Sequence, residues 1–465
     1  MSSQHSLTAL LERAEELVSQ GRRVEVEVLE VLLELADHCS GDPQDEPGAV
    51  PVRYGGPRLV ALGGEGTPLV SDLHLLEIAV AFGKGVFALR RDLGAALDLR
   101  HRLPLTWAGG RGLRCDAWVL RKVAAMSRRL TKEQVAIVDA AVAAALDESP
   151  ARILEVAEAK VIEADPGAHE ERIRRNRERK GVWFPGPRPG EQVDGEAAGV
   201  ASVFARVDEA DACAYAQMVD DLAARLAEHA PSPAEGEEPP PMDHWRAEAF
   251  AMLADPAAVL DFLGAADGGG EVDEPAPRPP RPAAHLHVHV ALDAGAGVFG
   301  PVARVEGSGP MLLAQVRELL GRHDVTVTPV IDLNGGRSVR GYEHPTDVKL
   351  RSELRTIGDR FPHATTSWRR GGRAPDHDHT TPYDDTGPPG QTGDHNDTPL
   401  SRTSHRAKTH LGYSVFQLGP DRWIWGTPHG LYRLVSGTGT TRITAAEFAR
   451  LKDVAVQLAG EFAAA

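Results

Sequence analysis

The sequence predicts an α+β protein, with a mostly α-helical N-terminal region followed by a C-terminal α+β part. From Ser6 to Leu263 apolar residues recur at spacings of three and four, the period of a helix. Beyond a glycine- and proline-rich stretch the period becomes two in HLHVHVALD (285–293), where Leu286, Val288 and Val290 face one way and three histidines the other. The expected organisation is a helical region over 6–265, a linker over 266–283 and an α/β connecting segment over 284–358. A compact module with its following strands then occupies 359–437, and a last helix 444–463.

In the first half, helices are expected over Val24 to Leu35, Leu73 to Leu97, Ala117 to Leu130 and Lys132 to Leu146. Short strands are expected at Val182 to Phe184 and Gly199 to Phe204, after the basic stretch Arg172 to Lys180. Charge balance from Glu170, Glu171 and Glu178 makes that stretch read as a solvated helix face before a phosphate site. The turn-like FGKG (82–85) suits a helix-turn-helix, but ordinary helical packing explains it equally and is preferred. In the second half, helices are expected over Pro310 to Leu320, Val348 to Ile357 and Thr444 to Phe462. Strands are expected over Val325 to Leu333, Tyr413 to Leu418, Arg422 to Trp425 and Leu431 to Val435.

Composition narrows the class. A chain of 465 residues with 42% hydrophobic content builds more than one core. A net charge of −16 repels nucleic acid overall, so any such contact must rest on a local basic surface. The three cysteines, Cys39, Cys115 and Cys213, have no paired spacing, which excludes a cysteine-ligated zinc and fits a reducing cytoplasm. The N-terminus is amphipathic, with Leu7, Leu10, Leu11, Leu17 and Val18 interrupted by Glu12, Glu15 and Glu16, and is no signal peptide. Without a long uncharged apolar run, no membrane partner is expected. The helical region offers a surface for a homo-oligomer or a protein partner.

Chemistry concentrates between Asp359 and His410, where histidine, aspartate and asparagine lie beside arginine and lysine. Phosphodiester hydrolysis needs a base to take a proton from water, a divalent cation to stabilise developing charge, and cationic side chains to hold the backbone. Their order is Asp378-His379, Pro382, Asn396, Pro399-Leu400, His405 and Lys408. This order resembles the HNH endonuclease motif, whose ββα-metal fold joins two strands and a helix around one cation.

The resemblance implies His379 as general base, Asp378 and His405 as ligands of one divalent metal (Mg, Mn, Ni or Zn), and DNA as substrate. It implies that Asn396 fixes the loop and orients His379, and that Lys408 and Arg406 or Arg402 meet phosphate. The positions that hold a structural zinc in many such modules carry Asp359, Ala364, Ser401 and Ser404, so no cysteine-ligated zinc is expected. Packing by Leu400, Trp423, Trp425 and Tyr432 must then replace it. With an ordinary histidine pKa of about 6.5, activity should fall below roughly pH 6.

LRHRLPLTWAGG (99–110), RIRRNRERKGVWF (172–184), VTVTPVIDL (325–333) and WIWGTPHGLY (423–432) extend the likeness. Together they resemble the actinobacterial 13E12-repeat proteins, which join domain of unknown function number 222 to a C-terminal HNH nuclease domain. A catalytically inactive DNA-binding or regulatory protein that keeps the HNH scaffold is the alternative, and a small-molecule metallohydrolase a third reading. The strand histidines His285, His287 and His289 are explained as a polar strand face without metal. His377, His395 and His410 are read as solvated or supporting groups rather than ligands.

Overall fold

The computed structural model describes residues 7–183, 203–231, 238–266, 288–293, 298–305, 309–321, 333, 336–356, 358–368 and 374–464. Helices and small antiparallel sheets make up the protein, and it divides into two compact units. One unit joins residues 1–169 to 330–465, and the other holds 170–329. These units do not follow the expected linker at 266–283, which falls within the second of them and lies, except for Ala266, outside the described residues.

The first segment begins with α1 (Leu7–His38) and a short hairpin of β1 (Leu59–Val60) and β2 (Val70–Ser71). The helices α2 (His74–Phe82), α3 (Val86–Arg102), α4 (Pro104–Arg111), α5 (Ala117–Ser127), α6 (Lys132–Ala144) and α7 (Pro150–Ala164) follow. The single helix expected over Leu73 to Leu97 is broken, because Gly83 adopts φ 63° and caps α2 while Lys84 N–H returns to the Ala79 carbonyl. Leu89, Leu93, Ala96, Leu97 and Leu99 of α3 are buried in the helical core, and Lys84 pairs with Asp92 at 2.7 Å. The FGKG turn thus separates two helices, the second of which sinks its C-terminal part into the helical core.

In the unit spanning 170–329, α8 (Pro166–Glu178) leads to a strand pair, β3 (Gly181–Trp183) with β4 (Phe204–Arg206). Next come α9 (Glu209–His229), α10 (Met242–Met252) and α11 (Pro256–Ala266), and Leu222, Ala223 and Ala249 are buried between the first two. A three-stranded antiparallel sheet follows, made of β5 (Val288–Asp293), β6 (Val298–Val305) and β7 (Gly309–Leu312), with α12 (Leu313–Gly321) behind it. The helix expected from Pro310 thus starts three residues later. Pro310 sits in β7 at the sheet edge, where a residue without an N–H is tolerated. His285 and His287, and the strand expected at Val325 to Leu333 except Leu333, lie outside the described residues.

The returning segment contributes β8 (Ser338–Val339), α13 (Thr346–Thr356), β9 (Asp376–His379), β10 (Thr392–Gly393) and β11 (Asp397–Leu400). After α14 (Arg402–His410) come four antiparallel strands, β12 (Ser414–Gly419), β13 (Arg422–Gly426), β14 (Tyr432–Ser436) and β15 (Gly439–Arg442), and finally α15 (Ala445–Ala464). Trp423 and Trp425 of β13 are fully buried in a core with Leu400, Phe361 and Tyr413, which Leu73, just before α2, and Leu76 and Val80 of α2 close. Leu75, Ile78 and Ala79 on the other side of α2 belong to the helical core. An α-helix apolar on both sides needs two partners, so the C-terminal segment packs onto residues 1–169. Tyr432 lies elsewhere than expected, its ring 4.6 Å from that of Phe448 in α15.

Polar anchors reinforce this joint. Arg406 of α14 donates to the carbonyls of Gly55 (2.9 Å) and Gly56 (2.7 Å) and pairs with buried Asp72 at 3.0 Å. Arg433 donates to the Val80 carbonyl, and Glu77 accepts from His429. Truncating Arg406 to alanine leaves buried Asp72 with Arg58 as its remaining cation and takes a donor from two carbonyls, which costs about 2 kcal/mol. Arg406→Lys recovers only part, because one ammonium cannot span three acceptors. Denaturant unfolding should show both variants losing stability in that order, and equal midpoints for wild type and Arg406→Ala would contradict the anchor.

Candidate active site

The sequence DHDH folds as β9 because it pairs antiparallel with β11, setting His379 opposite Asp397 and Asp376 opposite Leu400. Alternate side chains of a strand point to opposite faces. Asp376 and Asp378 accordingly meet α14, while His377 and His379 meet Asp397, Glu353, Thr392 and His344.

On the α14 face, Nδ1 of His405 lies 2.9 Å from Asp376 Oδ2, and its Nε2 faces Asp378 Oδ1 at 3.5 Å. The N–H that the Asp376 carboxylate requires at Nδ1 leaves the Nε2 lone pair turned toward Asp378. Two acceptors facing each other demand a positive charge between them. Asp378, through its hydrogen bond, and Asp376 together raise the His405 pKa, so a proton on Nε2 meets that demand. Burial pushes the Asp378 carboxyl up, but His405 and the Lys408 ammonium outweigh it and hold it below the usual carboxylate range.

A divalent cation could replace the proton, since two ligands with bonds of about 2.1 Å and a tetrahedral angle lie roughly 3.4 Å apart. Asp376 on the remote nitrogen of His405 is the kind of partner that orients a ligating imidazole. Among the described residues no group of three or more His, Cys, Asp or Glu is arranged to hold a metal ion. The protein side of such a centre is therefore two donors, and water and phosphate oxygens would complete it.

On the opposite face His379 is buried, and its Nε2 lies 2.8 Å from the Thr392 hydroxyl. That hydroxyl donates to the Gly341 carbonyl, so it accepts from His379 Nε2–H and leaves Nδ1 unprotonated. The ring stacks 4.3 Å from His344, with Tyr342 and Tyr383 at 5.3 and 5.7 Å. Burial first, and then the neighbouring His344, push the His379 pKa down to about 4. The expectation of a limit near pH 6 used the unperturbed value, and this imidazole stays neutral well below it.

Asn396 was expected to fix the loop and orient His379. Its amide accepts from Thr381 N–H (2.7 Å) and donates to the Thr381 and Gln391 carbonyls (3.0 and 2.9 Å), pinning the ends of the 381–391 loop. The bond to His379 comes instead from Thr392. The phosphate contacts need larger correction. Arg406 is committed to Gly55, Gly56 and Asp72, and Lys408 Nζ sits 2.5 Å from both Asp378 Oδ2 and the His379 carbonyl. Arg402, paired with Asp376 at 3.0 Å, is the one of the three whose side chain stays more than half exposed.

The positions aligned with a structural zinc do gather. Ser404 Oγ donates to Asp359 Oδ2 at 2.7 Å and lies 3.0 Å from Ser401 Oγ, and the Phe361 N–H donates to Asp359 Oδ1. Hydrogen bonds thus link three of the four positions beside the second core. His410 lies against Gly55 rather than in the centre.

Sequence reasoning missed Asp376, His344, Tyr342, Thr392, Asp397 and Glu353. Asp376 could have been found, since it stands two residues before Asp378 on the same strand face. No periodicity links His344 to His379. Comparison with protein-family models, with curated proteins and with solved structures finds no match for this chain.

His377 carries a separate consequence. Burial alone would lower its pKa, but hydrogen bonds to Asp397 (2.9 Å) and Glu353 (3.2 Å) carry it up to about 9. A group raised above its unfolded value stabilises fully below that value, about 6.5, and the contribution is lost as pH rises through 9. The loss amounts to about 3 kcal/mol. Thermal unfolding from pH 6 to 10 should show a downward step for wild type that flattens in His377→Gln, and parallel profiles would remove this ion pair from the account.

Proposed function

We propose that the chain is an HNH-type endonuclease that hydrolyses a DNA phosphodiester bond with one divalent cation. The carrying observation is that Asp378 and His405, far apart in sequence, face one another at 3.5 Å across an antiparallel strand pair and the helix that follows it. Strand, strand and helix stand in the order of a ββα-metal module, and the 13E12-repeat resemblance of the surrounding sequence supports the same reading.

In this reading Asp378 and His405 hold the cation, which when bound would stabilise the charge developing on the phosphate and on the leaving 3′ oxygen. The resemblance makes Nδ1 of His379 the group that takes a proton from water as the water oxygen bonds to phosphorus and the bond to the 3′ oxygen breaks, although the ring stands on the opposite face of β9 from Asp378 and His405. Thr392 holds the tautomer that leaves Nδ1 free. Asp376 sets the His405 ring, and Lys408 ties the Asp378 carboxylate to the His379 backbone so that the two faces of β9 keep one geometry. Arg402 is the group that reaches a phosphate oxygen outside this framework.

Nicking of supercoiled plasmid with magnesium, manganese or nickel tests the reading. His379→Ala should lower the rate by about 10²- to 10⁴-fold. Asp378→Ala and His405→Ala should abolish cleavage with thermal unfolding retained. Absence of cleavage by the wild type with every metal favours the inactive DNA-binding scaffold, and undiminished cleavage by His379→Ala removes that residue from the chemistry.

A further inference from the structure

A cavity of about 240 Å³ lies between the start of α3, residues 359–368 and the first turn of α14. Phe87, Phe361 and Trp368 give it aromatic walls, and Phe87 is 67% exposed although the helix it opens sinks into a core further on. Asp359 also lines the cavity, but Ser404, Ser401 and the Phe361 N–H already hold its carboxyl group. Two groups of the lining are unmet among the described residues. The buried Nε1–H of Trp368 has no acceptor, and Arg90 makes no hydrogen bond or ion pair.

The indole N–H groups of Trp423 and Trp425 also lack partners, but those rings are sealed in the core, whereas Trp368 lines the cavity. A buried N–H without an acceptor is costly, and an acceptor arriving from outside removes that cost. Arg402 stands on the same lining with 55% of its side chain exposed, and only its Nη1 is spent on Asp376. Flat apolar walls, an unmet donor and two partly exposed guanidinium groups match a planar ring that carries acceptor atoms and is joined to an anion. The volume falls short of the roughly 300 Å³ at which pockets for drug-sized ligands begin, which leaves room for one ring system.

We propose that this cavity receives one unstacked base of a DNA strand while Arg90 and Arg402 hold the phosphates beside it. The identity of the strand rests on the nuclease reading above. Every base offers a π-face to Phe87 and Trp368 and ring acceptors to the indole N–H, so the fit tolerates any sequence. Arg402 also pairs with Asp376, which holds Nδ1 of His405, so a strand gripped there runs toward the Asp378–His405 pair. A base must leave its stack to enter, which favours a single-stranded or distorted stretch over an intact duplex.

Fluorescence anisotropy of an end-labelled oligothymidine single strand, read with EDTA so that no cleavage intervenes, tests the pocket apart from the chemistry. Phe87→Ala, at an exposed position, should weaken binding about ten-fold, the order of one base–aromatic stack. Trp368→Phe keeps a ring and loses the N–H, and should weaken binding about three-fold. Arg90→Gln should weaken it too and lower the salt dependence by about one ion. A strand of the same length built of abasic sugars should bind wild type and Phe87→Ala equally. Unchanged affinity in any of the three variants, wild-type affinity for the abasic strand equal to that for oligothymidine, or no retention of either strand at low salt overturns the proposal. Base-dependent binding by a protein that nicks no plasmid leaves the pocket and removes the nuclease. Nicking by the wild type beside unchanged strand affinity in Phe87→Ala removes the pocket alone.

Discussion

The two-sided burial of α2 is the constraint on which the rest of this unit depends. Leu75, Ile78 and Ala79 belong to the helical core, while Leu73, Leu76 and Val80 complete the core around Trp423 and Trp425. Neither core is closed without that helix. Burying a leucine side chain is worth about 1.5–3 kcal/mol, so separating the segments would cost several kcal/mol of apolar burial around the tryptophans.

The candidate site inherits its geometry from that joint. Helix α14 carries His405 and Lys408 toward β9, and the same helix carries Arg406 toward Gly55, Gly56 and Asp72. Residues one position apart on a helix are turned about 100° from each other, so one helix can clasp the strand pair with one side and the N-terminal segment with another. What holds His405 opposite Asp378 is therefore partly the packing of residues remote from the motif. A motif transplanted without residues 55–80 would lose both the salt bridge to Asp72 and the leucines of α2.

Much of this was legible in the sequence, and the failures have physical reasons. The order Asp378-His379, Asn396, His405, Lys408 and its resemblance to a strand-and-helix motif gave the elements of the site, because strand and helix spacing are local properties. The meeting of α2 with the tryptophans was not legible, since a helix apolar on both sides looks like any buried helix until its second partner is known. The expectation that Arg406 and Lys408 reach phosphate assumed that a cation near a site faces the ligand. Both have acceptors inside the protein, and a charge-assisted bond to a buried carboxylate at about 3 Å outcompetes exposure to solvent. Tyr342 and His344 were invisible because only the tertiary fold brings them over His379.

The alternation of β9 also explains how one four-residue strand can support two opposed ionisation states. Its carboxylates face the cations of α14, which keep Asp378 charged, whereas its second imidazole is enclosed by rings that keep His379 neutral. Were the strand to slip by one residue, His379 would meet Lys408 and Asp378 would enter the aromatic enclosure, with each group in the environment that least suits its charge. Four consecutive backbone pairings with β11 and the loop pinned by Asn396 oppose that slip. Register, more than any single hydrogen bond, is what keeps the carboxylates of β9 among the cations of α14 and its imidazoles on the other face.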